Sequence, residues 1–412
     1  MRRHQIIILV CLLTVPLIPA AEALDDECLV YVGTYTGKGG EGIYAYRFNP
    51  ATGEAHLPGL AVATDNPSFL AVDPKSRFLY AVNELVTFQD KPTGAISVFA
   101  IDRGSGRLNL VQQGSSLGVE PAYVSLDRTA RYLLVANYDV ANFSGGNSGV
   151  FPIGEDGRLS PRSAFLQEAG SSVHPERQAG PHPHSIQVTP DNRFVIVADL
   201  GLDKLFVYRF DDKTGSLTPG NPPFVKADPG AGPRHVAFAP SGKFVYVVNE
   251  LASTITVFAY EPGPGALFQK QTVSTLPEDF AGKNTAAEIV VDAKGRFMYV
   301  SNRGDDSITV FTINPDNGNL KFLERVPSGG RTPRSIAIDP TGQWLFAANQ
   351  DSGDIKLFRI DPASGRLAAT SRSLKIVSPV CVLIVSSKSI SDMTAEDNGT
   401  SKKSRRGFTH DE

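Results

Sequence analysis

The chain has 412 residues and a formal net charge of −3, because 43 acidic residues nearly balance 40 basic ones. This balance excludes the strongly basic surface with which nucleic-acid-binding proteins contact phosphates. A chain of this length ordinarily folds into two or three domains, but the repeats described below indicate a single one.

The first 23 residues predict a secretory signal peptide. Arg2 and Arg3 precede an apolar run over residues 6 to about 20, and an Ala-x-Ala cleavage site ends at Ala23. The run is too short for a comfortable membrane span, and no later run reaches its length. We therefore expect an exported protein, periplasmic or secreted, with no membrane span after cleavage. The alternative is an uncleaved N-terminal anchor.

A short turn sequence recurs seven times along the rest of the chain. Each copy has a Gly two residues before a Leu or Ala, and Asp, Asn or Pro usually precede it. The glycines are Gly53, Gly106, Gly157, Gly215, Gly265, Gly318 and Gly365. Asp, Pro and Gly at these offsets supply the fixed and the positive φ angles of a tight hairpin. A spacing of roughly 50 residues is typical of a four-stranded propeller blade.

A second sequence recurs in step with the first and predicts a β-hairpin. It reads Pro-x-x-apolar-x-apolar-Asp-Pro, a short polar turn, and then aromatic-apolar-Tyr-apolar-apolar-Asn. Its six copies begin at Pro67, Pro121, Pro183, Pro233, Ala286 and Pro333. Most copies continue into a third β-branched run and, after the glycine turn, a weaker fourth one. No segment of useful length has a helical period, so we predict an all-β chain.

The two ends of the chain supply the seventh unit. Residues 29–35 match the second strand of the hairpin, and residues 379–384 match its missing first strand. Closing the ring removes the exposed sheet edges of an open array. We therefore predict a seven-bladed β-propeller of four-stranded blades over residues 24–385, closed by strands from both termini. Residues 386–412 are rich in Ser, Lys, Asp and Thr and are predicted to be a disordered polar tail.

Two cysteines, Cys28 and Cys381, are predicted on neighbouring strands of this closing blade. A disulfide between them could staple the ring in an oxidising compartment. Aligned to the hairpin, however, they stand several residues out of register, and a bridge needs Cα atoms within about 7 Å. The absence of a bridge is therefore the favoured alternative.

The strand order predicts where the chemistry lies. In an antiparallel hairpin the start of strand one and the end of strand two share a rim, and strand one is innermost in a propeller blade. These positions therefore converge on one mouth of the central channel. Charged and imidazole side chains are concentrated there from the fourth repeat to the seventh, counting the incomplete N-terminal repeat first. Those that we single out are His184, Arg234, Glu250, Arg303 and Arg334.

Three guanidiniums in one mouth repel one another unless an anion or carboxylates compensate them. The fork of arginine suits a carboxylate or a phosphate, so we expect a small anionic ligand. His184 and Glu250 are the candidates for proton transfer. The alternative is a set of rim salt bridges that keep the blades in place. The Asn that recurs at the end of strand two is expected to serve the bend of the chain.

No cofactor or metal is predicted. His182 and His184 alternate along a strand and so point to opposite faces. The chain has no G-x-S-x-G elbow, and no GxGxxG fingerprint or P-loop stands in a strand-to-helix context. Tyr138 and Trp344 are expected to pack within the blades rather than to form a stacking platform.

Four segments, GPHPHS, GPRHVAF followed by YVVNE, AAEI followed by SNRG, and the opening VYVGTYT, together resemble the seven-bladed propeller lactonase family. This family includes the bacterial 6-phosphogluconolactonase and the fungal 3-carboxy-cis,cis-muconate lactonizing enzyme. The resemblance covers residues 30–385. It implies a site made of His184, Arg234, Glu250 and Arg303, the set that the hairpin geometry also reaches. We add His235, Asn249, Asn302 and Arg334 as candidate substrate-binding residues.

The first functional hypothesis is an enzyme that opens, or reversibly closes, an acidic lactone. Glu250 or His184 would activate water, while Arg234 and Arg303 would hold the acidic group and stabilise the oxyanion. Arg334 would be a secondary contact to the anion. The second hypothesis is an exported binding module without catalysis, since propellers serve widely as scaffolds. The asymmetry of the charged rim favours the enzyme, and predicted export leaves the particular lactone open.

The signal peptide predicts that the exported protein begins at or near Leu24. N-terminal sequencing of the protein recovered outside the cytosol checks this. Recovery of the full-length chain from the cytosol would contradict it.

Overall fold

A computed structural model of the protein describes residues 27–139 and 148–386, which form seven four-stranded antiparallel sheets. The predicted signal peptide, and the predicted tail from residue 387 onward, lie outside the described residues. Within the described ranges, no helix is long and apolar enough to cross a membrane.

The strands are numbered along the chain. The N-terminal ones are β1 (Cys28–Thr34), β2 (Gly42–Asn49) and β3 (Glu54–Ala63), with a 3-10 helix over Thr36–Lys38. Blade 1 comprises β4 (Pro67–Val72), β5 (Phe78–Asn83), β6 (Ala95–Ile101) and β7 (Leu108–Ser115). Blade 2 comprises β8 (Val119–Leu126), β9 (Tyr132–Asp139), β10 (Ser148–Pro152) and β11 (Ala164–Leu166). Blade 3 comprises β12 (Pro183–Val188), β13 (Phe194–Asp199), β14 (Lys204–Asp211) and β15 (Ser216–Lys226).

The C-terminal half continues the pattern. Blade 4 comprises β16 (Pro233–Phe238), β17 (Phe244–Asn249), β18 (Thr254–Glu261) and β19 (Ala266–Ser274). Blade 5 comprises β20 (Thr285–Val291), β21 (Phe297–Arg303), β22 (Ser307–Ile313) and β23 (Leu320–Pro327). Blade 6 comprises β24 (Pro333–Ile338), β25 (Trp344–Asn349), β26 (Asp354–Ile360) and β27 (Leu367–Lys375). The closing blade joins β28 (Pro379–Ser386) to β1, β2 and β3.

The predicted seven-bladed propeller is confirmed. The first strands of successive blades contact one another around the ring, from β4 through β8, β12, β16, β20 and β24 to β28, and β28 contacts β4. These strands therefore surround the central channel. β28 is antiparallel to β1, with Cys28 opposite Ser386 and Cys381 opposite Gly33. The last strand ends at Ser386, one residue beyond the predicted boundary.

The hydrophobic core lies between neighbouring blades rather than at one centre. One cluster joins Val32 and Phe48 of the closing blade to Phe346 of blade 6. Another joins Tyr31 of the closing blade to Leu79 of blade 1. Because each cluster belongs to two blades, a blade buries its apolar faces only when both neighbours are present.

Six of the seven glycine turns pack on the preceding blade. Gly318, with φ +74°, lies against Phe244, the aromatic residue that opens β17, and a Cβ at Gly318 would lie 2.4 Å from that ring. The same contact joins Gly53 to Trp344, Gly157 to Phe78, Gly215 to Tyr132, Gly265 to Phe194 and Gly365 to Phe297. In these six blades the two recurring sequences therefore stay in step, because the turn needs a glycine under the neighbour's aromatic ring. Trp344 packs between blades, as expected, and donates its indole N–H to the carbonyl of Pro50 at 2.8 Å.

The two cysteines of the closing blade are both buried and are not joined by a disulfide. They occupy opposite ends of the β1–β28 pair, because Cys28 faces Ser386 and Cys381 faces Gly33. Five residues of strand at about 3.3 Å each separate the two positions, far beyond the reach of a disulfide.

Ring closure predicts a contrast between two truncations. A chain that ends at Ser386 should melt within about 2 °C of the full chain, because it loses no strand of the ring. A chain that ends at Ser378 lacks β28 and exposes the edge of β1, so it should lose its cooperative unfolding transition. Circular dichroism melting measures both. Equal melting curves would show that the blade assignment is wrong.

The turn contact predicts a difference between two glycine substitutions. Gly318→Ala should destabilise the protein by about 1–3 kcal/mol more than Gly342→Ala. Gly342 has nearly the same φ, +71° against +74°, but a Cβ there would meet no atom within 4 Å. The Gly342→Ala control therefore introduces the strain of a positive φ angle without a clash with a neighbouring side chain. Urea titration gives the free energy of unfolding of each variant. Equal values would show that the contact with the Phe244 ring is not the reason for the glycine at position 318.

Candidate active site

One mouth of the channel contains a cavity of about 400 Å³ with charged walls. Its charged and titratable lining residues are Glu84, Glu120, Arg177, His184, Glu250, Arg303 and Arg334, together with Tyr35 and Tyr138. They come from all seven blades and one long loop, because rim positions of different blades converge here. The rim positions of the hairpins thus converge on one mouth, where the structure brings His184, Glu250, Arg303 and Arg334 together.

Glu250 is the centre of the site. Its side chain is only 6% exposed, and three guanidiniums surround its carboxylate. Arg177 Nη2 donates to Oε1 at 2.6 Å, and Arg303 Nη2 lies 2.8 Å from Oε2. Arg234 Nε lies 3.0 Å from Oε2, without the alignment of a hydrogen bond. The Glu250 carboxylate is therefore a negative group that compensates Arg234 and Arg303, for which the sequence analysis required an anion or a carboxylate.

The charge state of Glu250 follows from these contacts. Burial raises the pKa of its carboxyl, but Arg303 and Arg234 outweigh the burial, so that the pKa lies well below its ordinary value. Glu250 is thus an anion at every physiological pH. An anion so strongly stabilised is a weak base, which favours an electrostatic role for it.

His184 stands beside this anion as a neutral imidazole. Its Nε2 atom lies 3.8 Å from Glu250 Oε2, and its buried Nδ1 atom has no hydrogen-bond partner. Burial, and after it the charge of Arg234, holds the pKa of His184 well below 6.5. The imidazole is therefore unprotonated at neutral pH and can accept a proton. An imidazolium formed there would lie close to the Glu250 carboxylate.

Arg234 lies behind the carboxylate and is not among the residues that line the cavity. Its side chain is 3% exposed, and its Nη1 atom donates to the carbonyl of Ala287 at 2.5 Å. Burial and the nearby Arg303 lower the pKa of Arg234 to about 10, so it stays charged at neutral pH. The expected direct contact of Arg234 with substrate is therefore replaced by a positioning role on Glu250.

Arg334 is held by a relay on the opposite wall. Its Nη2 atom donates to the Tyr35 hydroxyl at 2.8 Å, and that hydroxyl donates to Glu84 at 2.9 Å. Burial lowers the pKa of Arg334, but Tyr35 and Glu84 more than offset it and leave the pKa raised. The guanidinium is thus already paired through a neutral hydroxyl with a carboxylate.

Asn249 and Asn302 do not face the cavity. The Asn249 amide donates to the hydroxyls of Thr254 and Thr256, each at 2.9 Å, within its own blade. Asn302 donates to Thr309 at 3.1 Å and accepts from Thr275 at 2.7 Å. We therefore withdraw both from the substrate-binding set. The repeated Asn ties the end of strand two to its surroundings, which agrees with the structural interpretation of this position.

His235 lies one layer deeper in the channel than His184. The two imidazole rings are 5.1 Å apart, centroid to centroid, and His235 Nδ1 is 2.8 Å from Glu288 Oε1. Burial raises the pKa of Glu288 to about 7 and lowers the pKa of His235 well below 6.5. His235 therefore supports the floor of the site and does not line the cavity that a substrate would enter.

Sequence reasoning missed three of the charged or titratable lining residues altogether, namely Tyr35, Glu120 and Arg177. Arg177 belongs to the long loop between β11 and β12, where no repeat marks it. Glu84 and Tyr138 follow the Asn at the end of strand two, so the pattern marks their place without giving them a role. Tyr138, expected within a blade, lines the mouth and accepts a hydrogen bond from Arg177 at 2.9 Å.

The imidazole of His182 packs on the ring of Tyr138. The two rings stack with centroids 4.7 Å apart, and His182 Nδ1 is 2.8 Å from the Tyr138 carbonyl oxygen. Over residues 27–139 and 148–386, no group of three or more His, Cys, Asp or Glu side chains is placed to hold a metal ion.

A ring of seven four-stranded blades with a charged cavity at one mouth places the protein among the seven-bladed β-propellers. Comparisons with known proteins narrow the class. The family described as lactonase, 7-bladed beta-propeller, matches residues 29–384. The chain therefore belongs to the seven-bladed β-propeller lactonase family, which confirms the resemblance.

Three relatives are informative. The 6-phosphogluconolactonase of Bacillus subtilis (strain 168) is 38% identical over 301 residues, which are 73% of this chain and 82% of that protein. The 6-phosphogluconolactonase of Formosa agariphila is 32% identical over 305 residues, 73% of this chain and 83% of that protein. The structure of the Pseudomonas aeruginosa periplasmic gluconolactonase PpgL is 38% identical, with a TM-score of 0.81 over 87% of this chain and 99% of PpgL.

Proposed function

We propose that the protein hydrolyses a small sugar lactone at the charged mouth, with His184, Glu250, Arg177 and Arg303 as the residues that face the reacting atoms. One observation carries this proposal. A neutral imidazole lies beside a permanently ionised carboxylate, and both line a cavity that guanidiniums surround. Membership of the lactonase family supports the reaction class.

His184 is the general base in this proposal. It takes a proton from water while the water oxygen attacks the lactone carbonyl. The resulting imidazolium is stabilised by Glu250, whose Oε2 atom is 3.8 Å from Nε2. When the ring C–O bond breaks, the imidazolium returns its proton to the leaving ring oxygen. The product is a single hydroxy acid, which carries the new carboxyl group and the released hydroxyl group, so atoms and protons balance.

Arg177 and Arg303 stabilise the oxyanion that develops on the carbonyl oxygen. Each guanidinium carries five N–H donors, so a bond to Glu250 leaves others to face the cavity. Preorganised charges of this kind commonly supply a large share of the catalysis. Arg234 is a positioning residue, because it contacts Glu250 from behind the cavity wall.

The arginines of the mouth no longer require an acidic substrate once their contacts in the structure are known. The three guanidiniums singled out in the sequence called for an anion or carboxylates, and carboxylates of the protein compensate them. Glu250 contacts Arg234 and Arg303, and Arg334 is paired through Tyr35 with Glu84. An acidic group on the lactone is therefore compatible with the site but not required by it. Neither of the two curated relatives is named for muconate cycloisomerisation, so hydrolysis is the direction we propose.

We also propose that the protein acts outside the cytosol. The basic, apolar and Ala-x-Ala segments of the N-terminus support export, and PpgL is a periplasmic relative of the same fold. A non-catalytic binding module is the weaker alternative, because a binding surface alone gives no reason for a buried, unprotonated imidazole beside a fixed carboxylate.

The mechanism predicts a loss of turnover and a particular pH profile. His184→Ala should lower kcat for D-glucono-1,5-lactone by about 10²–10⁴. In the unaltered protein, kcat/KM should stay flat from pH 8 down to about 6.5. It should fall only at lower pH, because the lowered pKa of His184 keeps the imidazole unprotonated above that point. Acid release, corrected for spontaneous hydrolysis, measures both.

The matched control is His56→Ala, which removes an exposed imidazole from the outer strand β3 and should leave kcat unchanged. Melting curves establish that each variant is folded. Full turnover in folded His184→Ala would show that the charged side chains of the mouth are structural salt bridges rather than a catalytic site. A profile that falls already between pH 8 and 6.5 would contradict the neutral imidazole.

A further inference from the structure

A second histidine lies beneath the proposed base, and the proposed reaction gives it no role. The imidazole centroids of His184 and His235 are 5.1 Å apart. Each ring has one buried nitrogen, Nδ1 of His184 and Nε2 of His235, that has no hydrogen-bond partner among the described residues. Buried polar atoms are nearly always paired with protein groups or with ordered water. Two such atoms on adjacent rings therefore indicate a connection through a buried water molecule.

Glu288 determines which nitrogen of His235 carries the proton. His235 Nδ1 is 2.8 Å from Glu288 Oε1, and the backbone N–H of Ile289 donates to the same oxygen at 3.2 Å. Oε1 is thus an acceptor, and a proton that this carboxyl takes up would favour its other oxygen. Arg234 Nη1 lies 3.3 Å from Nδ1, but its short bond, of 2.5 Å, goes to the Ala287 carbonyl. Nδ1 therefore donates to Glu288, which leaves the lone pair on Nε2.

The tautomer of His235 in turn acts on His184. A water between the two rings would donate one O–H to His235 Nε2 and accept the N–H of His184 Nδ1, so that both buried nitrogens are paired. The lone pair of His184 is then on Nε2. This nitrogen is 3.8 Å from Glu250 Oε2, and both side chains line the cavity. The chain of hydrogen bonds thus directs the basic nitrogen of His184 toward the side from which a substrate enters.

Aromatic rings hold the two imidazoles in this orientation. Phe69 and Tyr123 make T-shaped contacts with His235 at centroid distances of 5.5 and 5.1 Å. Tyr138 makes a T-shaped contact with His184 at 5.3 Å. Both imidazoles are also buried. Close packing on several sides therefore prevents either ring from turning to another partner.

We propose that His235 and Glu288 are positioning residues for the general base. Through one buried water they keep the proton of His184 on Nδ1 and leave Nε2 to take the proton of the attacking water. This inference rests on the proposed function. When Nε2 takes that proton, the positive charge of the imidazolium strengthens the hydrogen bond from Nδ1–H to the buried water. Loss of the connection should therefore slow the chemical step more than it weakens substrate binding.

The first measurement is the tautomer of His184, and it needs no substrate. Two-bond 1H–15N correlations of the purified chain, labelled with 15N-histidine, should show the His184 proton on Nδ1 at pH 8. The Glu288 carboxyl is mainly ionised at this pH, since burial raises its pKa to about 7. The signals are assigned by their loss in His184→Ala. A neutral His184 ring with its proton on Nε2 would overturn the inference.

Variants separate positioning from packing. His235→Phe keeps an aromatic ring and Glu288→Leu keeps most of the volume, but each breaks the chain of hydrogen bonds. Each should let the His184 proton move to Nε2 and should lower kcat for D-glucono-1,5-lactone by about 10- to 100-fold, with KM changed less than about two-fold. Glu288→Gln should preserve the tautomer and most of the turnover, because its amide oxygen accepts in place of Oε1.

Tyr123→Phe is the matched control in the same layer of the channel. It removes a hydroxyl that accepts a hydrogen bond from Gln187 and takes no part in the chain, so tautomer and kcat should stay unchanged. Melting curves establish that each variant is folded. An unchanged tautomer and kcat in folded His235→Phe and Glu288→Leu would overturn the inference and leave lactone hydrolysis standing. Full turnover in folded His184→Ala would overturn the proposed function, and the positioning role with it.

Discussion

Strand β28 pairs with β1 along its length, from Ser386 opposite Cys28 to Pro379 opposite Thr34. This pairing brings together strands that lie at the two ends of the chain and turns an open array into a ring. The site depends on it directly. Arg334 of blade 6 reaches Tyr35, which follows β1 and is 299 residues away in sequence. An open array would leave those two side chains on opposite edges.

Within the ring, the burial of Glu250 links stability to chemistry. A buried carboxylate is tolerable only when it is paired, and three guanidiniums from blade 4, blade 5 and the Arg177 loop meet that need. Removing one partner of a buried ion pair commonly costs about 3–5 kcal/mol. Burial and the charge of Arg234 lower the pKa of His184 and keep it neutral. The contacts that hold the mouth in shape are therefore the contacts on which the proposed catalysis depends.

The channel is divided into two chemically different halves. The mouth is charged, whereas the opposite end holds a cavity of about 390 Å³ whose walls are mainly the apolar first strands. The layer between them contains His235, Tyr123 and Phe69, whose rings lie 4.1 to 5.5 Å apart. Glu288 lies beneath this layer and bonds His235. Glu288 also lines the second cavity, whose other walls are mainly apolar.

Local pattern was enough to predict the blades, because turn chemistry and strand periodicity act within a few residues. The glycine turns, the hairpins and the split seventh unit were all readable in this way, and so was the convergence of His184, Glu250, Arg303 and Arg334 on one mouth. The same pattern also suggested Asn249 and Asn302 as substrate-binding residues, although neither faces the cavity. Both end a second strand, but an Asn at that position can turn its amide into the blade.

What only the tertiary structure decided is which charges meet. Arg177 lies in a loop without a repeat, and its distance of 2.6 Å to Glu250 follows from how that loop crosses the mouth. Arg234 and Arg303 occupy positions of the repeat that bring other side chains to the cavity. Of these two arginines, however, only Arg303 lines it. Sequence specifies the strand on which a side chain stands. The curvature of the closed ring and the packing of its loops decide what that side chain touches, and hence its charge state and its role.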